Sequence, residues 1–234
     1  MRVEPRTVGS IVHVVQRGTR GLDIVRDKWD RIRFSRLLFY LNDSYSDANW
    51  LKAVKSCAPF ERPDYWPDRE PLVRVLAWTL MSNHFHLLFE EIQEGGIAKF
   101  MQRLCGSMSK AFNTKHTERG SLFQGSYKSR TVDDDNYFQY LAYYIQVKNT
   151  LELYPGGLKK ALHNFDDAWS WALRYPYSSF SSYASNIISP IIEKDRFFEI
   201  FPDAQLTKKV AKEMLELHMQ HHDEKYSVLS LEPW

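Results

Sequence analysis

VRVLAWTLMSNHFHLLFEE, residues 73–91, reads as two β-strands folded back on one another at Met81-Ser82-Asn83. The second strand is the informative one. Successive strand side chains point to opposite faces, so His84 and His86 share one face while Phe85, Leu87 and Phe89 share the other. The apolar face is expected to enter a core, leaving the histidines outward.

Upstream, residues 10–17 contain IVHVVQR, rich in β-branched residues and ending at Gly18, which predicts a first strand. Asp27 is a suitable N-cap. Phe34, Leu37, Leu38, Leu41 and Tyr45 then recur at helical spacing and predict a helix over 28–45. Residues 56–71, with four prolines, read as a long irregular surface loop. Downstream, Gly95-Gly96 opens a helix over 97–115 with Phe100, Leu104, Met108, Ala111 and Phe112 as its apolar stripe. A short strand at 126–132 follows, and Asp133 to Asp135 then place acidic charge at the favourable end of a helix over 134–149. That helix carries Tyr137, Tyr140, Tyr143 and Tyr144. Residues 168–184 are rich in aromatics and serine but show no clean period, so no element is predicted there. Residues 206–224 are helix-like.

The order strand, helix, strand, strand, helix, strand is that of the split βαβ arrangement. The expected fold is therefore α+β: a ferredoxin-like (RRM-like) antiparallel sheet with helices on one face, the tyrosine helix near the histidine face, and a C-terminal helical extension. Residues 1–185 are expected to form one domain, and 186–234 the extension.

Composition sets the outer limits. With 234 residues, 44% hydrophobic and 26% charged, the chain has the profile of a globular protein, not of a disordered or fibrous one. The formal charge of +2 conceals a split. Residues 1–130 hold 21 Lys and Arg against 14 Asp and Glu, whereas 131–234 hold 10 against 15. The two parts are therefore expected to face different partners or to face each other, the acidic region folding back on the basic groove in the second case. Cys57 and Cys105 show no disulfide or zinc spacing and fit buried thiols in a reducing compartment. Neither a secretory signal nor an apolar run long enough to span a membrane is present, which predicts a cytoplasmic location and no membrane partner.

Two imidazoles at i and i+2 can grip one metal ion from the same side. Two ligands alone do not make a site, and an exposed strand face without metal is an equal reading. The wider pattern narrows the choice. LMSNHFHLLF at 80–89, KFMQRLCGSMSKAFNTKHTERGSLFQGSYKSR at 99–130 and DDDNYFQYLAYYIQ at 133–146 occur in an order that resembles the single-tyrosine HUH transposases, including the REP-associated and insertion-sequence groups. Weaker echoes extend the resemblance to about residues 10–185. It implies that His84 and His86 hold Mg²⁺ or Mn²⁺, and that Tyr144 attacks DNA to give a 5′-phosphotyrosine and a free 3′-hydroxyl. Tyr143 is the fallback nucleophile. The resemblance further implies a single-stranded DNA partner with a hairpin, recognised in a sequence-specific way, and a possible homodimer. One departure concerns the third metal ligand: Lys148 occupies the position one turn beyond the tyrosine where the family often has Gln or Asn, and a protonated lysine cannot ligate a cation. Either Asn149 or Gln146 substitutes, or the metal is held by two histidines and water, or the site is weakened.

Arg103, Lys110, Lys115, Arg119, Lys128 and Arg130 lie in one span containing a single acid, Glu118, and are candidate phosphate contacts together with Arg17. His13 reads as structural, and His218, His221 and His222 as exposed residues on a polar helix. Two alternatives to a strand-transferring enzyme stay open: a catalytically weak, domesticated DNA-binding protein of the same fold, and a different metallohydrolase using His84 and His86.

Overall fold

β1 (Ile11–Arg17) leads through a short turn to α1 (Lys28–Tyr40), whose cap Asp27 accepts hydrogen bonds from the Trp29 and Asp30 amides at 2.8 and 3.0 Å. The helix stops five residues short of its predicted end because Asn42 is recruited elsewhere. Its buried carboxamide accepts from the Leu72 and Val73 amides and donates to the Val73 carbonyl, which ties the helix exit to the start of the next long strand. After α2 (Trp50–Ala53), the proline-rich loop runs over the surface as expected and is anchored at one aromatic residue. Trp66 is buried, its ring centroid 5.4 Å from that of Tyr45 and 6.5 Å from that of Tyr40.

β2 (Val73–Leu80) and β3 (His84–Glu91) form the predicted hairpin. α3 (Gly96–His116) and β4 (Lys128–Val132) follow, and then α4 (Asp135–Tyr143), capped by the Asp134 carboxylate on the Tyr137 amide. A single π-helical turn, Tyr144–Lys148, joins α4 to α5 (Asn149–Glu152). The chain continues with α6 (Gly157–His163), α7 (Phe165–Arg174), α8 (Phe180–Ala184) and α9 (Ala204–Gln220). These elements come from a computed structural model that describes residues 7–185, 187–193, 200 and 203–220.

The sheet is fully antiparallel with order β2-β3-β1-β4, the ferredoxin-like arrangement expected from the sequence. Val12, Val14, Phe85, Leu87 and Phe89 face α1 and α3 and pack with Phe34, Leu37, Phe100 and Leu104. Ring pairs such as Phe34–Phe85 at 5.1 Å and Phe89–Phe100 at 5.5 Å knit this layer. Each fully buried Phe or Leu contributes roughly 1.5–3 kcal/mol by removal from water.

The second face is covered too, which corrects the expectation that the histidines point to solvent. His86 is fully buried and His84 nearly so. The cover comes from α4 to α9, including the stretch at 168–184 that showed no period. It holds α8 and most of α7, whose Phe165, Ala168, Trp169 and Ala172 form a buried stripe, and the segment between them serves the edge of β2: Ser179 Oγ accepts from the Trp78 amide, and the Ser179 and Leu80 amides donate to Trp78 and Tyr177 carbonyls. Trp169 and Phe180, with ring centroids 4.9 Å apart, join Leu76, Ala77 and Leu88 in this second core. Ala211 and Leu215 of α9 are buried in the same core. α9 thus lies against α6, α8 and the tyrosine helix, not against the basic face of α3.

Candidate active site

Strand pairing decides which side chains meet. Directly opposed residues on neighbouring strands point to the same side. Arg17 opposes His84 and Val15 opposes both His86 and Lys128, while His13 opposes Arg130. His84, His86, His13, Arg17, Lys128 and Arg130 therefore share one face, under the tyrosine helix. The remaining predicted phosphate contacts, Arg103, Lys110, Lys115 and Arg119, lie on α3 or the loop after it, on the other side of the sheet. Two of these already have intramolecular work. Arg103 donates to the carbonyls of Asp43 and Ser44, holding the exit of α1. Lys115 bridges Asp27 and Asp30 at 2.6 and 2.7 Å. Asp30 also receives His116 Nε2 at 2.9 Å. Asp27, Asp30 and His116 have the donor types of a cation site, but the Lys115 ammonium already bridges the two carboxylates there.

On the histidine face, His13 Nε2 lies 3.0 Å from His86 Nδ1, with the rings stacked at 5.3 Å. His84 Nδ1 lies 2.6 Å from Asn83 Oδ1. Because an amide oxygen can only accept, His84 donates from Nδ1, and its lone pair is then on Nε2. The His84 and His86 rings are 5.1 Å apart and edge to face. With both Nδ1 atoms engaged, the pair would bind a cation through Nε2, in the way that hydrogen bonds to the remote nitrogen orient metal-ligating imidazoles. His13 is the residue that the strand-by-strand sequence reading undervalued; aligning β1 with β3 in register is the signal that finds it.

Tyr144 meets this group directly. Its ring lies 5.8 Å from that of His86, 5.6 Å from that of Tyr140, and 6.4 Å from that of His218 on α9. Tyr144 is 9% exposed, so α9 covers it in this conformation. Tyr143 lies on a different side of the helix, and burial pushes its phenol up to about 12. His221 and His222 lie outside the described residues.

The π turn changes which residue lies one turn beyond Tyr144. In it the Asn149 amide bonds the Tyr144 carbonyl, five residues back, so Asn149 rather than Lys148 sits one turn beyond the tyrosine. Lys148 turns away to Glu152 at 2.8 Å, its ammonium 4.8 Å from the centre of the Tyr144 ring. Asn149 is fully buried, and its carboxamide N and O have no hydrogen-bond partner among the described residues. A buried, unsatisfied amide costs about 1–3 kcal/mol, a cost that a ligand bound at this position would remove. Gln146 accepts instead from Ser179 Oγ at 2.9 Å.

The turn also diverts the Asn149 amide from the Ile145 carbonyl, its α-helical acceptor, and Thr79 supplies a donor. Thr79 is fully buried and pairs with His86 across the hairpin, so this bond seats the tyrosine helix on the histidine strand. Thr79→Val keeps the shape but strands the carbonyl. It is expected to destabilise the fold by about 1–3 kcal/mol, lowering the thermal midpoint by about 2–4 °C per kcal/mol. An unchanged midpoint in calorimetry would show that the hydroxyl does not hold the turn.

Residues 69–148 match the family described as "Transposase IS200 like". The matched stretch runs from before β2 to the end of the π turn and includes the hairpin, both histidines and Tyr144. Among solved structures, a REP-associated tyrosine transposase bound to a REP hairpin aligns with 83% of this chain and 93% of its own, at 11% identity and a TM-score of 0.43. No curated protein matches the chain in sequence.

Proposed function

We propose that this chain, whose residues 69–148 fall with the IS200-like transposases, is a metal-dependent endonuclease and strand transferase acting on single-stranded DNA through Tyr144. The observation that carries the reading is the meeting of Tyr144 with His86, itself beside His84, inside the matched segment.

His84 and His86, with Asn149 as third donor, fit a hard or borderline divalent ion through two imidazole nitrogens and an amide oxygen. Bound there, Mg²⁺ or Mn²⁺ would polarise the scissile phosphate and offset charge developing on it. Arg17, Lys128 and Arg130 share that face and would position the phosphate backbone without reading its sequence. Tyr144 Oη forms the new bond to phosphorus and gives up its proton, while the bond from phosphorus to the 3′-oxygen breaks and that oxygen takes a proton. The products are a 5′-phosphotyrosine and a free 3′-hydroxyl. The ester retains the phosphodiester energy, so attack by another 3′-hydroxyl rejoins strands without ATP. Burial pushes the Tyr143 phenol up to about 12, which disfavours its deprotonation near neutral pH.

Because α9 lies over Tyr144, DNA entry to this side requires α9 to move. A hairpin next to the cleaved strand, cytoplasmic residence and pairing of two subunits belong to the same proposal. The test is an end-labelled single-stranded oligonucleotide mixed with protein and Mn²⁺, then denatured. A covalent protein–DNA adduct is expected. Binding without adduct would instead support a non-cutting DNA-binding protein, and hydrolysis independent of Tyr144 a metallohydrolase.

A further inference from the structure

The opposite side of the molecule carries a groove of about 830 Å³ between α1, α2 and α3. Each helix contributes two cations to it: Arg33 and Arg36 from α1, Lys52 and, just beyond α2, Lys55, then Lys110 and Lys115 from α3. Positions i and i+3 on a helix share a face, so the Arg33/Arg36 pair is presented together. Asp30 is the one carboxylate among the lining residues, and Lys115 already bridges it at 2.7 Å. The groove therefore carries a strong positive excess.

Its floor and rim are aromatic. Trp50 is buried, stacked on Tyr40 at 5.2 Å and covered by the Arg33 guanidinium at 5.6 Å. Arg33 also donates to Ser107 Oγ at 3.2 Å, so its fork is held in place. At the rim Trp29 is 65% exposed, with the Lys28 ammonium 5.3 Å from the centre of its ring.

We infer that this groove is a second site for single-stranded nucleic acid, in which the helix cations track the phosphates and Trp29 stacks on a base. Cations interleaved with an exposed aromatic ring are what an unpaired strand requires: charge for the backbone and a flat surface for a base. A volume of about 830 Å³ accommodates a few unpaired nucleotides. An acidic peptide would use the charge but leave the indole unsatisfied. The inference extends the proposed function, since the sheet separates this groove from Tyr144. A strand seated here consists of nucleotides remote from the one being cut.

The test uses the full chain and an oligothymidylate of about 20 nucleotides, with affinity read by fluorescence anisotropy over a range of salt. Lys52 and Lys55 are exposed, so K52E/K55E should fold normally. Its dissociation constant is expected to rise at least tenfold at low salt, and its salt slope to fall by roughly 1.4, from two lost phosphate contacts on a single strand. Trp29→Ala should weaken DNA binding at least threefold while leaving the affinity for polyglutamate unchanged. The Tyr144 adduct on an oligonucleotide too short to reach the groove is read in parallel, so failure of the cleavage reading and failure of this one stay distinct. Unchanged DNA affinity and salt slope in K52E/K55E would overturn the inference. So would equal losses of DNA and polyglutamate binding in Trp29→Ala, because the groove would then be a general polyanion surface.

Discussion

Tyr144→Phe is expected to abolish the covalent adduct between the protein and single-stranded DNA, by roughly 10⁴-fold or more, the scale seen when a nucleophile is removed. The substitution keeps the ring that packs beside His86 and Tyr140 and removes only the attacking oxygen. DNA affinity and thermal midpoint should stay close to those of the parent, which separates lost chemistry from lost structure. Tyr143→Phe is the matched control. Its phenol is pushed up to about 12 by burial and lies on another side of the helix, so adduct yield should remain near the parent level. Were Tyr143 the nucleophile, the pattern would invert, and adduct formation would keep rising with pH toward that value.

The second large effect concerns the metal. Adding Mn²⁺ to the parent should raise unfolding stability by RT ln(1 + [Mn²⁺]/Kd), about 2.7 kcal/mol at a hundredfold excess over Kd. His84→Gln and His86→Gln should each remove most of that increment. The increment, and not the baseline, is the readout, because His86 is fully buried against His13 and its loss lowers metal-free stability as well. Asn149→Leu makes the sharper distinction. It exchanges a buried amide without partners among the described residues for a similar apolar shape, so metal-free stability should hold or improve while the Mn²⁺ increment shrinks. A full increment in Asn149→Leu would remove it from the ligand set.

The sheet and its order were legible because β1, β2 and β3 carry β-branched and apolar runs whose alternation names a buried face. The site was legible in part. His84 and His86 could be placed on one side of a strand by parity alone, but their burial could not, because their cover comes from α4 and the elements after it, Tyr144 among them. Part of that cover, residues 168–184, shows no clean period because two short helices, α7 and α8, are separated by a turn whose Ser179 answers the backbone of β2 at Trp78. Asn149 was ambiguous for a related reason. Counting 3.6 residues from Tyr144 reaches Lys148, and only the i to i+5 bond of the π turn shifts Asn149 into that place. Charge summed along the sequence likewise joined Arg17, Lys128 and Arg130 to Arg103, Lys110, Lys115 and Arg119. The sheet divides them between two faces.

The central claim is that Tyr144 becomes bonded to the 5′-phosphate of cut DNA. After reaction with Mn²⁺ and a single-stranded oligonucleotide carrying a defined cleavage site, nuclease trimming and proteolysis should leave one modified peptide for mass spectrometry. The account predicts a nucleotide 5′-phosphate mass on Tyr144, with a free 3′-hydroxyl on the released fragment. The same mass on Tyr140 or Tyr143, or a released strand with no modified peptide, would contradict it.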